Sequence, residues 1–256
     1  MLKKRFVGVI TVRGGWVVQS FGYKKYLPVG RPTVIAENLD RWGVDEILLL
    51  AIDRSAKGLG PDIGLLQELG ELALSTPVTY GGGICTVEQA SSVVQAGAER
   101  VCVDTALHGD PGALREISMH IGAQALVASL PLCIESGDVF WYNHITEVLR
   151  PARRALDWMF ENGAISEALV IDWRNEGARN GFDLDLLRHF PVAGVPLIAF
   201  GGLSEVNQIN EVLRMPQLAA VAVGNFLHYS EHSVQRYKER LASAVLRGAE
   251  YQGSMT

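Results

Sequence analysis

The stretch Gly81-Gly82-Gly83-Ile84 follows an apolar run, Pro77-Val78-Thr79-Tyr80, and precedes a helical pattern that begins at Thr86. A strand that ends in three glycines and continues into a helix exposes backbone N–H groups, which can hold a phosphate. The same arrangement recurs at Phe200-Gly201-Gly202, after another short apolar run. Three glycines also suit an ordinary tight turn between strand and helix, so both interpretations stay open at this point.

Around these loops, short β-rich runs alternate with amphipathic helical patterns. The predicted strands are residues 5–11, 46–51, 77–80, 100–104, 125–130, 167–172, 196–200 and 219–223. The predicted helices are residues 33–42, 62–74, 86–96, 111–121, 147–162, 183–190, 204–213 and 231–247. Eight strand–helix pairs in this length predict an α/β fold, one closed (β/α)8 TIM barrel over residues 1–256. A doubly wound open sheet is the alternative.

An internal repeat with an offset of about 120 residues relates the two halves of the chain. Gly60-Pro61-Asp62 matches Gly181-Phe182-Asp183, and Val101-Cys102-Val103-Asp104 matches Val221-Ala222-Val223-Gly224. The repeat predicts two duplicated half-barrels, roughly residues 1–122 and 123–256. Two related glycine loops at one barrel mouth would hold a substrate that carries a phosphate at each end.

Composition narrows the class of protein. A net charge of −5 argues against a general nucleic-acid or membrane-surface binder, and no apolar run approaches the length of a membrane span. The start of the chain has no signal-peptide pattern, and its three cysteines are widely spaced. Neither the cysteines nor the six histidines form a metal-binding motif. We therefore expect a cytoplasmic protein without a metal or another cofactor.

Several motifs in combination carry a resemblance to a known family, over nearly the whole chain. They are Gly15-x-Val17-Val18, Asp45-Glu46, Tyr80-Gly81-Gly82-Gly83-Ile84, Gly177-x-x-x-Gly181-Phe182-Asp183 and Gly201-Gly202. With these residues the chain resembles the cyclase subunit of imidazole glycerol phosphate synthase. The resemblance implies a glutaminase subunit that docks on the N-terminal face of the barrel and releases ammonia. The ammonia passes through the barrel, and two aspartates at the C-terminal face perform cyclisation and cleavage.

The chain departs from this family at both catalytic aspartates. The family motif Cys-Leu-Asp-Val appears here as Val9-Ile10-Thr11-Val12, and its Ile-Asp at the end of the fifth barrel strand is aligned with Ser129-Leu130. The reaction needs a general acid and a general base, and neither Thr11 nor Leu130 titrates near neutral pH. Acidic residues elsewhere in the βα loops are weak candidates to replace them: Asp53, Asp172 and Glu176.

The resemblance also implies a set of phosphate-binding residues: Gly82, Gly83, Thr105, Gly177, Gly201, Gly202, Gly224 and Asn225. In the first half, Asp104 stands where the family has asparagine, and a carboxylate there would repel a phosphate dianion. Alternatively, Asp104 only bonds neighbouring loop amides. The second-half loop, with Gly224-Asn225, is predicted to be the more competent of the two.

Four charged residues of alternating sign stand at the starts of barrel strands: Arg5, Glu46, Arg100 and Glu167. They match the ring that gates the ammonia channel in the family, with Arg100 where the family usually has lysine. The simpler interpretation is that they are four exposed charges at strand ends.

A closer resemblance is carried by Phe21-x-x-x-Lys25-Tyr26-Leu27, Gly30-x-Pro32 and Ile52-Asp53-x-Ser55-x-x-Gly58. It points to cyclase-like proteins of surface-polysaccharide pathways, which supply ammonia, with a glutaminase, to an ATP-dependent amidotransferase that amidates a sugar. We therefore expect a cyclase-like, ammonia-conducting subunit with little or no cyclase activity. The alternatives are a histidine-biosynthesis lyase with a relocated acid and base, and a non-catalytic barrel that binds a phosphorylated small molecule.

The segment Trp141-Tyr142-Asn143-His144 follows the fifth predicted barrel strand. It is predicted to form either an aromatic lid over the mouth or a hairpin packed on the rim. Among the histidines, His144 is the candidate site residue.

Overall fold

A computed structural model describes residues 3–109, 111–161, 163–241 and 245–249. Its strands are β1 (Arg5–Arg13), β2 (Trp16–Phe21), β3 (Lys25–Gly30), β4 (Glu46–Ala51), β5 (Val78–Gly81), β6 (Arg100–Val103), β7 (Leu126–Glu135), β8 (Asp138–Asn143), β9 (Val148–Pro151), β10 (Glu167–Asp172), β11 (Leu197–Phe200) and β12 (Leu218–Val223). The strands β1, β4, β5, β6, β7, β10, β11 and β12 pair in parallel in that order, and β12 pairs with β1. The closed parallel (β/α)8 barrel predicted from the sequence is confirmed.

The helices that connect the barrel strands are α1 (Pro32–Arg41), α2 (Ile63–Glu71), α3 (Val87–Gln95), α4 (Pro111–Ile121), α5 (Ala152–Glu161), α6 (Asp185–Arg188), α7 (Val206–Leu213) and α8 (Ser233–Arg240). α8 ends well before the predicted residue 247, because Leu241 is extended; residues 242–244 of that prediction lie outside the described residues. In the described part of the chain, none of the helices has the length and apolar content that a bilayer span requires.

Side chains alternate between two apolar layers, as the period of two in a strand requires. On β4, Leu48 and Leu50 point into the barrel, whereas Leu49 points outward to the helices. On β7, Val127 points inward, and Leu130 lies in the outer layer. This alternation decides which residue at the end of each strand can reach the mouth of the barrel.

Two antiparallel hairpins extend the barrel at its C-terminal face. β2 and β3 follow β1, and the sequence did not predict them. β8 and β9 follow β7 and confirm the hairpin predicted for that segment. The predicted helix 147–162 begins five residues late, because residues 148–151 pair with β8 instead. Pro151 explains the difference, since a proline inside a helix removes a backbone donor and clashes with the preceding turn.

The order of elements is the same in residues 5–121 as in residues 126–240. Each part has three strands, a helix, three further strands that alternate with two helices, a short 3-10 helix and a final helix. The two hairpins therefore occupy equivalent places in the two parts.

Candidate functional site

A cavity of about 340 Å³ opens at the C-terminal mouth of the barrel. Leu50, Cys102 and Ile171, which end their strands on the inner face, line its deeper part. Both hairpins contribute to its walls, through Tyr23 and Lys24 on one side and Tyr142 and His144 on the other. A site at the C-terminal ends of parallel strands is the general rule for barrels of this kind.

The loop Gly81-Gly82-Gly83 lines this cavity, at the place where the sequence predicted a phosphate cradle. Gly82 and Gly83 have φ values of 132° and 71°, which favour glycine. A Cβ atom on Gly82 would overlap the carbonyl oxygen of Ala51, and one on Gly83 would overlap that of Gly60. The Gly83 N–H donates to Oγ of Ser55 at 3.1 Å. Close packing against the neighbouring loop therefore already requires the glycines, with or without a ligand.

Asp104 lies at the end of β6, next to the glycine loop, and two histidines surround its carboxylate. Nδ1 of His144 is 3.1 Å from Oδ2, and Nε2 of His108 is 3.2 Å from Oδ1. The ring of His108 stacks on Trp141 with centroids 3.9 Å apart, which fixes it behind the carboxylate. Asp104 and His144 are separate candidates in the sequence. Their contact is not predictable from it, because the β8–β9 hairpin brings His144 across the mouth.

The charges of this cluster shift the acidity of its members. The hydrogen bond to Asp104 raises the pKa of His144 above its ordinary value. Burial acts to raise the pKa of Asp104, but the hydrogen bonds with His108 and His144 hold it below its usual range. Asp104 is therefore an ionised carboxylate that favours the protonated form of His144.

The second-half residues predicted to bind phosphate lie together, and the β2–β3 hairpin packs against Gly177 and Asn225 among them. Gly177, Gly201, Gly202, Gly224 and Asn225 surround a cavity of only about 10 Å³. Nδ2 of Asn225 donates to the carbonyl of Ser20 at 2.6 Å, and the Ser20 N–H donates to its Oδ1 at 3.2 Å. The Asn225 amide is thus engaged by the hairpin backbone. Thr105, from the first-half set, lines the cavity at the mouth.

The three candidate replacement acids do not line the cavity at the mouth. Asp53 accepts from Nζ of Lys57 at 2.6 Å and from the Gly14 N–H at 3.2 Å; burial acts to raise its pKa, but these bonds lower it. Asp172 accepts from Nδ2 of Asn175 at 2.9 Å and from the Asp183 N–H, and burial raises its pKa.

Glu176, the third candidate, anchors the β2–β3 hairpin. It accepts from Oγ of Ser20 at 2.8 Å and from the Tyr23 N–H at 3.4 Å, and burial raises its pKa. All three acids therefore hold loops in place.

The two positions aligned with the family's aspartates differ in orientation. Thr11 is buried at the inner face of β1, where its register partner on β4 is Leu50. Leu130 is fully buried in the outer layer and faces away from the mouth. Its neighbours Ser129 and Pro131 line the cavity instead. The structure therefore corrects the sequence alignment: Pro131, and not Leu130, stands at the mouth end of β7. Strand alternation could have shown this.

At the opposite end of the barrel, the four charged residues at the strand starts form a connected ring. Nη2 of Arg5 and Nη1 of Arg100 lie 2.7 Å and 2.6 Å from Oε2 of Glu167. Arg5 and Arg100 also approach Glu46, at 3.4 Å and 3.8 Å. Oγ1 of Thr79 donates to Glu46 at 2.6 Å. The four side chains are mostly buried, so the interpretation as exposed strand-end charges does not hold.

Among the described residues, no group of three or more His, Cys, Asp and Glu side chains is arranged to hold a metal ion. Fold and site together define a (β/α)8 barrel with a small-molecule cavity at one end and a closed ring of charges at the other.

Comparison with known proteins gives the family. The family model described as "Histidine biosynthesis protein" matches residues 5–233. The chain is 32% identical over 251 residues to imidazole glycerol phosphate synthase subunit HisF of Thermococcus gammatolerans, with 94% of this chain and 96% of the relative covered. It is 30% identical to the HisF subunit of Pyrococcus furiosus, with the same coverage. It is 29% identical over 249 residues to a protein of Vibrio vulnificus named as a candidate hisF2 subunit, with 96% and 91% covered. The chain belongs to the histidine biosynthesis protein family and is similar to its HisF subunits.

Proposed function

We propose that this protein is the cyclase-like barrel subunit of a glutamine-dependent amidotransferase system. In this proposal a glutaminase subunit docks on the N-terminal face of the barrel. Ammonia released there passes through the ring of charges and along the barrel axis to the C-terminal mouth, for amidation of a sugar precursor by an ATP-dependent amidotransferase. The barrel itself has little or no cyclase activity.

The observation that carries this proposal is the ring formed by Arg5, Glu46, Arg100 and Glu167. Glu167 bridges both guanidinium groups, and each arginine also approaches Glu46. Burying four paired charges at the floor of a barrel carries a large desolvation cost. A floor with a structural role alone would be at least as stable if its residues were apolar. Opposite charges that pair across the axis can separate to admit a small neutral molecule such as ammonia, which supports a gate.

The residues at the mouth support the part of the proposal that assigns little or no cyclase activity to the barrel. Its inner strand ends on β1 and β7 carry Thr11, Ser129 and Pro131, which do not exchange protons near neutral pH. The three acids named as replacements are engaged in loop contacts and do not line the cavity at the mouth. In this proposal, the positions that carry the family's general acid and base hold residues that cannot perform those roles.

The repeated order of elements supports a further part of the proposal, that the barrel is built from two duplicated half-barrels. Gly82 packs closely on Ala51 at the end of β4, and Gly201 packs closely on Asp172 at the end of β10. Equivalent glycines thus meet equivalent strand ends.

Co-purification with a glutaminase subunit expressed in the same cells, followed by a glutamine hydrolysis assay, tests the proposal. We expect the barrel to bind the glutaminase and to stimulate it severalfold. Gln124→Arg changes an exposed residue in the turn before β7, on the N-terminal face, and should reduce the stimulation. Trp16→Arg is the matched control, since Trp16 is 54% exposed at the opposite end of the barrel. No stimulation by the unmodified barrel would refute the proposed function.

The second candidate function is a histidine-biosynthesis lyase with a relocated acid and base. It is favoured by one observation, the Asp104–His144 pair at the cavity wall. Expression in a histidine-requiring strain that lacks the cyclase subunit separates the two candidates. Growth without histidine would support the lyase, and no growth would exclude it.

A further inference from the structure

The cavity at the mouth has a composition that differs from that of a phosphate site. Its charged lining residues are Lys24, Asp104, His144 and Glu147. Asp104 and His144 pair with each other, while Lys24 and Glu147 carry opposite charges, so there is no excess of positive charge. A phosphate dianion needs such an excess or several free charge-assisted donors. At the glycine loop it would instead lie beside the carboxylate of Asp104.

Hydroxyl groups dominate the remaining polar lining. They belong to Tyr23, Tyr26, Ser55, Thr105, Ser129 and Tyr142. A hydroxyl both donates and accepts hydrogen bonds, which matches a ligand that itself carries hydroxyls. Oγ1 of Thr105 is buried without a hydrogen-bond partner among the described residues. A buried hydroxyl without a partner is destabilising, and a ligand hydroxyl that reaches it from the cavity that Thr105 lines would satisfy it.

One wall of the cavity is aromatic. Tyr142 and Trp173 stack with centroids 4.2 Å apart and planes 13° apart, and both line the cavity. A rigid aromatic wall beside polar groups suits a ring that has apolar C–H faces and a polar rim. The volume of about 340 Å³ accommodates one such ring.

His144 is positioned as the main polar contact. Its Nδ1 is held by Asp104, so Nε2 points away from that bond, and the side chain is 30% exposed at the cavity wall. The carboxylate thus orients the imidazole, in the way that second partners orient functional histidines.

From this geometry we propose that the mouth cavity binds an uncharged, hydroxyl-rich ring of monosaccharide size, with the Asp104-oriented His144 and Thr105 as its recognition groups. The ring packs on the Tyr142–Trp173 wall, the Thr105 hydroxyl pairs with a ligand hydroxyl, and Nε2 of His144 bonds a second one. The identification of this ring as the acceptor of the ammonia rests on the proposed function. The binding itself does not depend on a glutaminase.

The test is an NMR titration of protein labelled in its histidine rings, with a panel of neutral hexoses and N-acetylhexosamines as one set of probes and inorganic phosphate as the other. We expect at least one neutral sugar to shift the His144 signals, with a dissociation constant in the millimolar range that is usual for a fragment of about 12 heavy atoms. Thr105→Val should weaken that binding about tenfold, as loss of one buried hydrogen bond predicts. His120→Gln, an exposed change on α4, should leave it unaltered.

Two results would overturn the inference: no neutral sugar shifts the His144 signals, or phosphate shifts them and the sugars do not. Far-UV circular dichroism of the isosteric Thr105→Val shows whether weaker binding reflects the lost hydroxyl or a lost fold. Thr105→Ser, which keeps the hydroxyl and lacks only the methyl group, should retain the affinity. Glutaminase stimulation by the unmodified barrel is measured separately. Intact stimulation without sugar binding refutes this inference alone, whereas sugar binding without stimulation refutes the proposed function alone.

Discussion

Glu167→Gln removes the carboxylate that bridges two arginines at the floor of the barrel. Its Oε2 lies 2.7 Å from Arg5 and 2.6 Å from Arg100, and its side chain is 11% exposed. At an effective dielectric constant of about 20 and about 4 Å between charge centres, each close ion pair contributes about 4 kcal/mol of Coulomb energy. Removing the carboxylate also removes a desolvation cost of several kcal/mol, and the amide oxygen still accepts one hydrogen bond. The expected net loss in the free energy of unfolding is about 2–4 kcal/mol.

Urea unfolding followed by circular dichroism measures this loss. With a slope of about 3 kcal/mol per M, a loss of 3 kcal/mol lowers the urea midpoint by about 1 M without changing the slope. Glu205→Gln is the matched control, because the ion pair of Glu205 with Arg179 is exposed on both sides and should change stability by less than about 0.5 kcal/mol. If the two variants have the same urea midpoint, the ring is not an electrostatic network and does not support a gate.

Three further predictions address the mouth. Leu130→Asp should lower the free energy of unfolding by more than about 4 kcal/mol, because it buries a carboxylate in the outer apolar layer. Pro131→Asp should lower it much less, because that residue lines the cavity. Thermal unfolding compares the two variants, and equal losses would contradict the assigned orientation. Gly82→Ala should lower the free energy of unfolding by about 2–4 kcal/mol, because the added Cβ overlaps Ala51 and the φ of Gly82 is positive. Gly14 also has a positive φ but has open space around it, so Gly14→Ala should lower the free energy of unfolding by about 1 kcal/mol in the same assay. Asp104→Asn should lower the pKa of His144, as measured by NMR. Because the pKa of His144 is raised in the folded protein, its contribution to stability is complete below its ordinary value of 6.5 and is lost as pH rises through the folded value, and this dependence should shrink in the variant. An unchanged pKa would mean that Asp104 does not hold the imidazole.

Much of the fold follows from local sequence patterns. Runs such as residues 47–51 and 168–171 are apolar throughout, as strands buried on both faces must be. The predicted bounds of these strands, 46–51 and 167–172, agree with the structure. The β2–β3 hairpin was not predicted, because Gln19, Ser20 and Lys25 interrupt its apolar residues. Its stability comes from pairing with β1 and from contacts across the mouth, which no local pattern records.

Part of the candidate site could also be predicted from the sequence, and part could not. The ring of charges could be predicted because each residue starts a strand, and the starts of parallel strands meet at one end of a barrel. The contact between Asp104 and His144 could not, because it depends on where a hairpin tip lies. The contact of Ser20 with Asn225, beside the second glycine loop, has the same cause.

The two hairpins have a consequence for the integrity of the mouth. The hairpin that follows β1 is anchored on Glu176 and Asn225, in the second half of the chain, and the one that follows β7 is anchored on Asp104, in the first half. Each half therefore supplies the cover for the other half's loop. A chain divided after residue 122 would leave both loops open to solvent until the two fragments reassociate. The smallest unit with a complete mouth is thus the whole barrel.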